Sequence, residues 1–558
     1  MRPKETVMKR QPPSRKSTAV RSLSRPHLAR NISAATVAAM TLAACTTSGA
    51  GSTGSSAAGS GQASGGSAGT SSAAFNIAIG VDPDTLDPAQ QTTSTIQNIL
   101  DYDLQGLVTF DQSGKLEPLL ATSWKTSADA KSITFKLRTG VKFQDGTPFN
   151  AKAVQYSLDR LISGKVKVPI GGAYQVMKRI VPIDAHTVRI DLKNADPDLL
   201  PNLAATMAEI ISPTSATKNG NKPTNIVDPV GTGPYKFVQF QNGQSVTLTR
   251  YAGYWGSKPY YKEVVFNIVP EANSREAGLR SGQYDLIMNP PLSDLTALAA
   301  GGNITVSKFP DDRSVFFAFN VTQAPFNNQK VRQAFNYAVD KKALIKNVLF
   351  NAVDQMDSPF ANSITSHCTA GSYAYNPTKA KQLLKEAGVG KISLTIGTSS
   401  GRYLQDQQTA EAIAGYLRQV GVTAKVQTSD WPTYLNAIEG PNSKNGPYPL
   451  HILGWAPSAL DAPVQMQMLL KADWPTNGGL NTSFYSDPKV ESLFAKANMN
   501  LDETSRNAQY CQIQKQVWAD APWIFLWSQT LTLAYKSNLA GISYQPNEKF
   551  VTVGAHPK

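Results

Sequence analysis

Residues 46–74 are built only from Gly, Ala, Ser and Thr, apart from Gln62. A run of this kind has no side chain large enough to offset the entropy lost on ordering, so it cannot join a packed core. It therefore divides the chain into a short head and a large body that starts near Phe75 and runs to Lys558. As a flexible coil, a linker of this length spans roughly 30 Å on root-mean-square average.

The head explains the linker. Residues 1–30 carry nine Lys and Arg against a single acid, Glu5, and a mostly apolar run fills 32–44. That run is too short to cross a bilayer, which needs about 20 apolar residues. A basic head, a short apolar stretch and small residues together make an export signal. The end of the run, Leu42-Ala43-Ala44-Cys45, resembles the lipobox of bacterial lipoproteins. The resemblance implies a signal peptide over 1–44, a lipid on Cys45, and a lipid-anchored linker over 45–74. The body would then work at the cell membrane, facing the extracytoplasmic side. An ordinary cleaved signal with an incidental cysteine is the alternative.

Charge has to be read on the mature chain. The net charge of +14 includes the nine bases and one acid of residues 1–44. Without them, 45 basic residues stand against 39 acidic ones, a net charge of +6. Nucleic-acid binding loses most of its compositional support on that count. Beyond Cys45 there are two cysteines, Cys368 and Cys511. An exported chain meets oxidising conditions, so the two can pair; two separate buried thiols are the other possibility.

Along the body, strand and helix patterns intermix. "SITFKLR" alternates Ile133, Phe135 and Leu137 with polar residues, the period of a half-buried strand. Asn150 stands where it caps "AKAVQYSLDRLI", whose Val154, Leu158, Leu161 and Ile162 share one helical face. Asn376-Pro377 and Asp487-Pro488 open two further helices, with proline at the first helical position. Strand patterns recur at "SVTLTRY", "KEVVFNIV", "SVFFAFNV", "ISLTIGT", "TAKVQTSD" and "YPLHILGW". The body reads as a large α/β fold without a transmembrane helix.

Several longer segments occur in a specific order. They are "DPDTLDPAQ", "LEPLLATSWKTSADAKSITFKLRTGVKFQDGTPFNAKAVQYSLDR", "VGTGPYKF" with "YAGYWG", and "PFNNQKVRQAFNYAVDKKALI". "NPTKAKQLLKEAG" and "FYSDPKVESLFAKA" follow. This order resembles the family 5 extracellular solute-binding proteins of ABC transporters, the oligopeptide- and dipeptide-binding type. The resemblance implies a two-lobe clamp of the type II periplasmic-binding-protein class, with an extra α/β domain on the N-terminal lobe. Its N-terminal lobe is expected over 75–315, with the extra domain at about 119–228, and is completed by 525–558. The second lobe is expected over 316–524. Ligand would be held between the lobes and delivered to a membrane permease, with ATP hydrolysis in separate subunits. The receptor itself is expected to act as a monomer without a cofactor or metal.

The same resemblance implies a binding site. Thr92 and Ser94 lie four and six residues after Pro88, in a segment that faces the cleft in this family. From the other lobe come Trp431 of "SDWPTYL" and Trp455 of "GWAPSALDAP". Trp474 is a further stacking candidate, whereas Trp124, Trp255, Trp518, Trp523 and Trp527 read as core. Peptide binders of the family carry Asp three residues after the glycine-tryptophan turn, where it pairs with the peptide's ammonium. Here that position is Ser458, and the next acid is Asp461. Burying an ammonium without a partner costs several kcal/mol. Either Asp461 takes over, or the ligand is a sugar, an N-blocked peptide or another small metabolite. Unmodified di- and tripeptides are then expected to bind weakly.

The rival class is a secreted hydrolase. Gly397-Thr398-Ser399-Ser400-Gly401 is a G-x-S-x-G between a strand and a helix pattern, the setting of a nucleophile elbow. Ser399 would need an acid and then a histidine downstream. His451 precedes Asp461, however, and lies inside an apolar strand. The five histidines form no H-E-x-x-H, and no nucleotide-binding motif is present. A binding protein is therefore the expected class.

Overall fold

The computed structural model describes residues 71–558, apart from 170, 197, 365, 458, 459 and 461. Cys45 and most of the linker lie outside the described residues. Order starts slightly before Phe75: the Ser71 N–H donates to the Tyr260 carbonyl, and the first strand is Ala74–Ile79. Backbone pairing asks nothing of side-chain size, so Ala74, the last residue of the linker expected at 45–74, can open an interior strand of the sheet.

One large mixed sheet organises the body. Its strands run Thr423–Ser429, Ser393–Ser399, Leu450–Trp455, Ile304–Phe319, Trp523–Lys536, Leu286–Met288, Ala74–Ile79, Glu263–Ile268, Ser245–Arg250 and Tyr235–Gln241. Each end has a parallel core: Ser393–Ser399 pairs parallel with both its neighbours, and so does Ala74–Ile79. The helix Asp406–Gln419 supplies one crossover, its Ala410, Ile413, Ala414 and Leu417 buried against the sheet. The α/β class expected from sequence is what the structure shows.

The two halves meet through two long antiparallel strands, Ile304–Phe319 and Trp523–Lys536. Pro310 pairs with Thr530 and Ser314 with Ser528, so Asp311, Asp312 and Arg313 face Gln529 alone. This bulge bends the strand pair and re-aims the three charged side chains. It lies a few residues from the lobe boundaries expected at 315/316 and 524/525.

A separate four-stranded sheet has the order Ala121–Thr126, Ser132–Leu137, Thr187–Leu192, Met177–Asp184. Ile133, Phe135 and Leu137 point inward, as their alternation requires. The helix Ala151–Ile162 packs on it, and the Asn150 side chain accepts from the backbone N–H groups of Lys152 and Ala153. Without that cap the Lys152 N–H would lack a partner, since Ala153 also donates to the Asn150 carbonyl. Asn376 and Asp487 cap Pro377–Glu386 and Pro488–Asn498 in the same manner. A disulfide joins Cys368 to Cys511 on the helix Glu503–Asp520, with Cα atoms 5.6 Å apart. Among the described residues no helix is long and apolar enough to cross a membrane.

Candidate functional site

The seam between the two halves holds a cluster of buried charges: Asp311, Asp312, Arg313, Arg402, Asp406 and Glu548. Arg313, re-aimed by the bulge, donates through Nη1 to the Gly454 carbonyl (2.6 Å) and through Nη2 to Ser94 Oγ (2.9 Å). It thereby ties the helix Ser94–Leu100 to the strand Leu450–Trp455. Glu548, fully buried, forms ion pairs with both Arg313 and Arg402. Arg402 grips it with two nitrogens, at 3.0 and 3.3 Å. Burial, and then the neighbouring Arg313 charge, push the Arg402 guanidinium down to about 9.

The loop that carries Arg402 is itself organised by a buried acid. Asp406 accepts from Ser399 Oγ (3.1 Å) and from the backbone N–H groups of Arg402, Tyr403 and Gln407. Burial raises the Asp406 carboxyl to about 6, against the pull of these hydrogen bonds. Across the seam, the approach is close. A Cβ on Gly80, just after Ala74–Ile79, would lie 2.1 Å from the Gly401 carbonyl oxygen. Gly401 itself has φ of +77°, a conformation glycine adopts without strain.

Unpaired polar atoms concentrate in the same place. All four carboxylate oxygens of Asp311 and Asp312, both amide atoms of Gln529, and Nε of Arg313 and Arg402 have no hydrogen-bond partner among the described residues. Burial raises the Asp311 carboxyl, and burial with the adjacent Asp311 charge holds Asp312 well above the usual carboxylate range. Most buried polar groups in folded proteins are paired, so this concentration of buried acids and guanidiniums is out of the ordinary. A cavity of about 440 Å³, lined by Leu116, Asp198, Ser363, Leu460, Ala462 and Arg506 among others, adjoins the seam through Ser363, which donates to the Asp311 carbonyl, but none of Arg313, Arg402, Glu548, Asp311 and Asp312 lines it. That size suits a small solute.

The sequence-expected residues are only partly assembled here. Ser94 takes the Arg313 hydrogen bond described above. Trp431 donates from Nε1 to Thr93 Oγ1 (3.0 Å), joining the two halves, while the Arg402 guanidinium lies 5.6 Å from its ring centroid. Thr92, one residue before Thr93, is half-buried and makes no side-chain hydrogen bond among the described residues. Trp455 is buried at the end of its strand, with Nε1 donating to the Val464 carbonyl. Trp474 spends its N–H on the Tyr485 carbonyl and stands edge-on to Phe484, a packing role. Ser458 and Asp461 lie outside the described residues; Leu460 and Ala462, on the same loop, border the cavity.

Sequence reasoning missed Arg313, Arg402, Glu548, Asp311 and Asp312. One signal was present: Pro310-Asp311-Asp312-Arg313 interrupts a strand pattern with a proline and three charges. Proline inside a strand marks an edge or a bulge, and a bulge re-aims side chains.

Comparison with known proteins fits this geometry. The description "Bacterial extracellular solute-binding proteins, family 5 Middle" matches residues 115–477. The glutathione-binding protein GsiB of Pectobacterium atrosepticum is 33% identical over 476 residues, covering 85% of this chain and 92% of that protein. The chain belongs to the family 5 extracellular solute-binding proteins. Among solved structures, a Pseudoalteromonas dipeptide-binding protein in complex with Met-Leu superposes with a TM-score of 0.81 at 26% identity, covering 87% of this chain and 100% of that one. The periplasmic binding protein DppA from Helicobacter pylori, in complex with the peptide STSA, gives 0.79 at 28% identity, with 87% and 98% covered.

Family 5 proteins are two-lobe binding proteins rather than enzymes, and the geometry around Ser399 agrees. Its hydroxyl is fully buried and donates to Asp406, not to a histidine. His451 bonds Thr482 Oγ1 and the Tyr448 carbonyl, and burial lowers it to about 4, so it stays neutral in the core.

Proposed function

We propose that this family 5 protein is the receptor of an ABC importer for a peptide-like solute bearing at least one carboxylate and one ammonium. The observation that carries the reading is the buried seam, where two guanidiniums and two buried carboxyls lie within electrostatic reach of one another. Arg313 and Arg402 suit a carboxylate, because a guanidinium offers parallel donors in a fixed fork. Asp311 and Asp312 offer the ammonium partner that Ser458 does not. That answers the objection to free-amino ligands raised by the sequence, and the similarity to glutathione- and peptide-binding relatives points the same way. Sugars, N-blocked ligands and hydrolysis by Ser399 are correspondingly disfavoured.

The clamp closes when contacts from both lobes are made together, which supplies the free-energy difference between open and closed states. The lobes are taken as 75–315 with 525–558, and 316–524, hinged at the bulge. Cys45 would carry the lipid that holds a monomeric receptor near its permease at the extracytoplasmic face, with residues 1–44 removed and 45–74 as the leash. Metabolic labelling with a fatty acid should mark the wild type and not Cys45→Ser; labelling of the serine variant refutes the anchor.

The solute is tested by titration calorimetry of the purified protein against glutathione, Met-Leu, and their N-acetylated and C-amidated forms. Binding of at least one free peptide is expected, weakened tenfold or more by blocking either end. No binding across the panel, or indifference to both blocks, overturns the reading.

A further inference from the structure

Glu548 is an unusual residue to find between two arginines. It sits in the turn joining the short strands Ser543–Gln545 and Lys549–Val551, at φ of +63°, a region that non-glycine residues seldom occupy. The turn's backbone is pinned to the helix Ser94–Leu100: Asn98 donates to the Glu548 carbonyl (3.1 Å) and accepts from Phe550 N–H (2.9 Å). The side chain alone then reaches into the seam. There it takes both terminal nitrogens of Arg402 and Nη2 of Arg313, while Arg313 Nη1 is held by the Gly454 carbonyl. Those terminal nitrogens are the forked ends that would grip a solute carboxylate.

We propose that Glu548 is a built-in stand-in for the solute's carboxylate, latching Arg402 and Arg313 across the seam until a carboxylate-bearing solute displaces it. The inference rests on the reading that these arginines hold the solute. Displacement, rather than addition, follows from the geometry: one carboxylate already fills the Arg402 fork and takes the Arg313 Nη2 beside it, and two carboxylates crowded on one guanidinium pair would repel. Because the backbone of the turn is anchored, release requires rotation of one side chain only. Glu548 thereby acts as a specificity residue. A solute without a carboxylate cannot replace what it removes, and a neutral competitor is turned away.

The test compares wild type with Glu548→Gln, which keeps the shape and removes the charge. Calorimetry uses glutathione and its dimethyl ester; small-angle X-ray scattering without added solute measures the radius of gyration. The expected result is tighter glutathione binding by the variant, tenfold or more, no such gain for the ester, and a larger radius of gyration as the latch is lost. Weaker glutathione binding by the variant overturns the proposal, since Glu548 would then only position the arginines. An equal gain for the ester, or an unchanged radius, overturns it too. If neither form binds glutathione, the solute reading fails, while the scattering comparison still decides the latch. Should Glu548→Gln not fold, Glu548→Asp loosens the grip by one carbon and should shift both readouts in the same direction, to a smaller extent. Its failure to shift the radius refutes the latch.

Discussion

Two arginines flank one carboxylate in two parts of this molecule. On the four-stranded sheet, Asp191 lies between Arg179 and Arg189, each at 2.6 Å, with the arginines 64% and 36% exposed. At the seam, Glu548 lies between Arg313 and Arg402, and all three are at most 3% exposed. The groups are alike and the surroundings are not. Water screens the first trio, and such exposed pairs are worth about 0–1 kcal/mol. The second trio has lost its water, at several kcal/mol per ion, and its members depend on one another. A surface trio is tolerated because it costs little; a buried one is costly to form and costly to break.

The sharpest way to break this contrast is Arg402→Met, which keeps bulk and removes charge. It leaves Glu548 buried with Arg313 alone, so a loss of about 3–5 kcal/mol in unfolding free energy is expected. Binding of the panel peptide that the wild type takes should vanish with it. Chemical denaturation and calorimetry check both. A loss below 1 kcal/mol with binding intact would place the seam trio in the same class as its surface counterpart.

The same contrast explains what the sequence made legible. The four-stranded domain could be read from Ile133, Phe135 and Leu137, and from Asn150 before its helix, because alternation and caps are local signals. Trp431 and Ser94 came from resemblance, and both lie at the seam. Next to Thr92, the N-cap residue Thr93 turns its hydroxyl to Trp431. Arg313, Arg402 and Glu548 were invisible for another reason. Each looks alone like an ordinary surface charge, and only the fold brings residues 313, 402 and 548 together. Burial of a charge is a tertiary property, and no local period encodes it.

A smaller effect is expected from Gly80→Ala. Its Cβ would meet the Gly401 carbonyl at 2.1 Å, and backbone there has little room to yield. Gly172 offers the control, because its nearest neighbour to an added Cβ, Asp473 Oδ1, is an ordinary 3.7 Å away. Gly80→Ala should hold the seam apart and weaken solute binding by about tenfold or more, some 1.4 kcal/mol. Gly172→Ala should change nothing. Calorimetry on both variants checks this, with melting curves to show that each half still folds. Equal affinities for Gly80→Ala and wild type would mean that solute binding does not require this contact.

The smallest effect belongs to the surface trio and serves as its own control. The Arg189 hydrogen bond, with Arg179 assisting, holds the Asp191 carboxyl below the usual range, so it is ionised at neutral pH. Asp191→Asn removes that charge but leaves two arginines that water can solvate at once. A loss of no more than about 1 kcal/mol is expected. Salt then separates the two trios. At 1 M salt the screening length falls to about 3 Å, which should erase most of the Asp191→Asn difference. The Arg402→Met penalty should survive, because ions cannot enter the closed seam. Denaturation of both variants at low and high salt makes the measurement. If Asp191→Asn cost as much as Arg402→Met, or if salt erased both, burial would not be what distinguishes the seam.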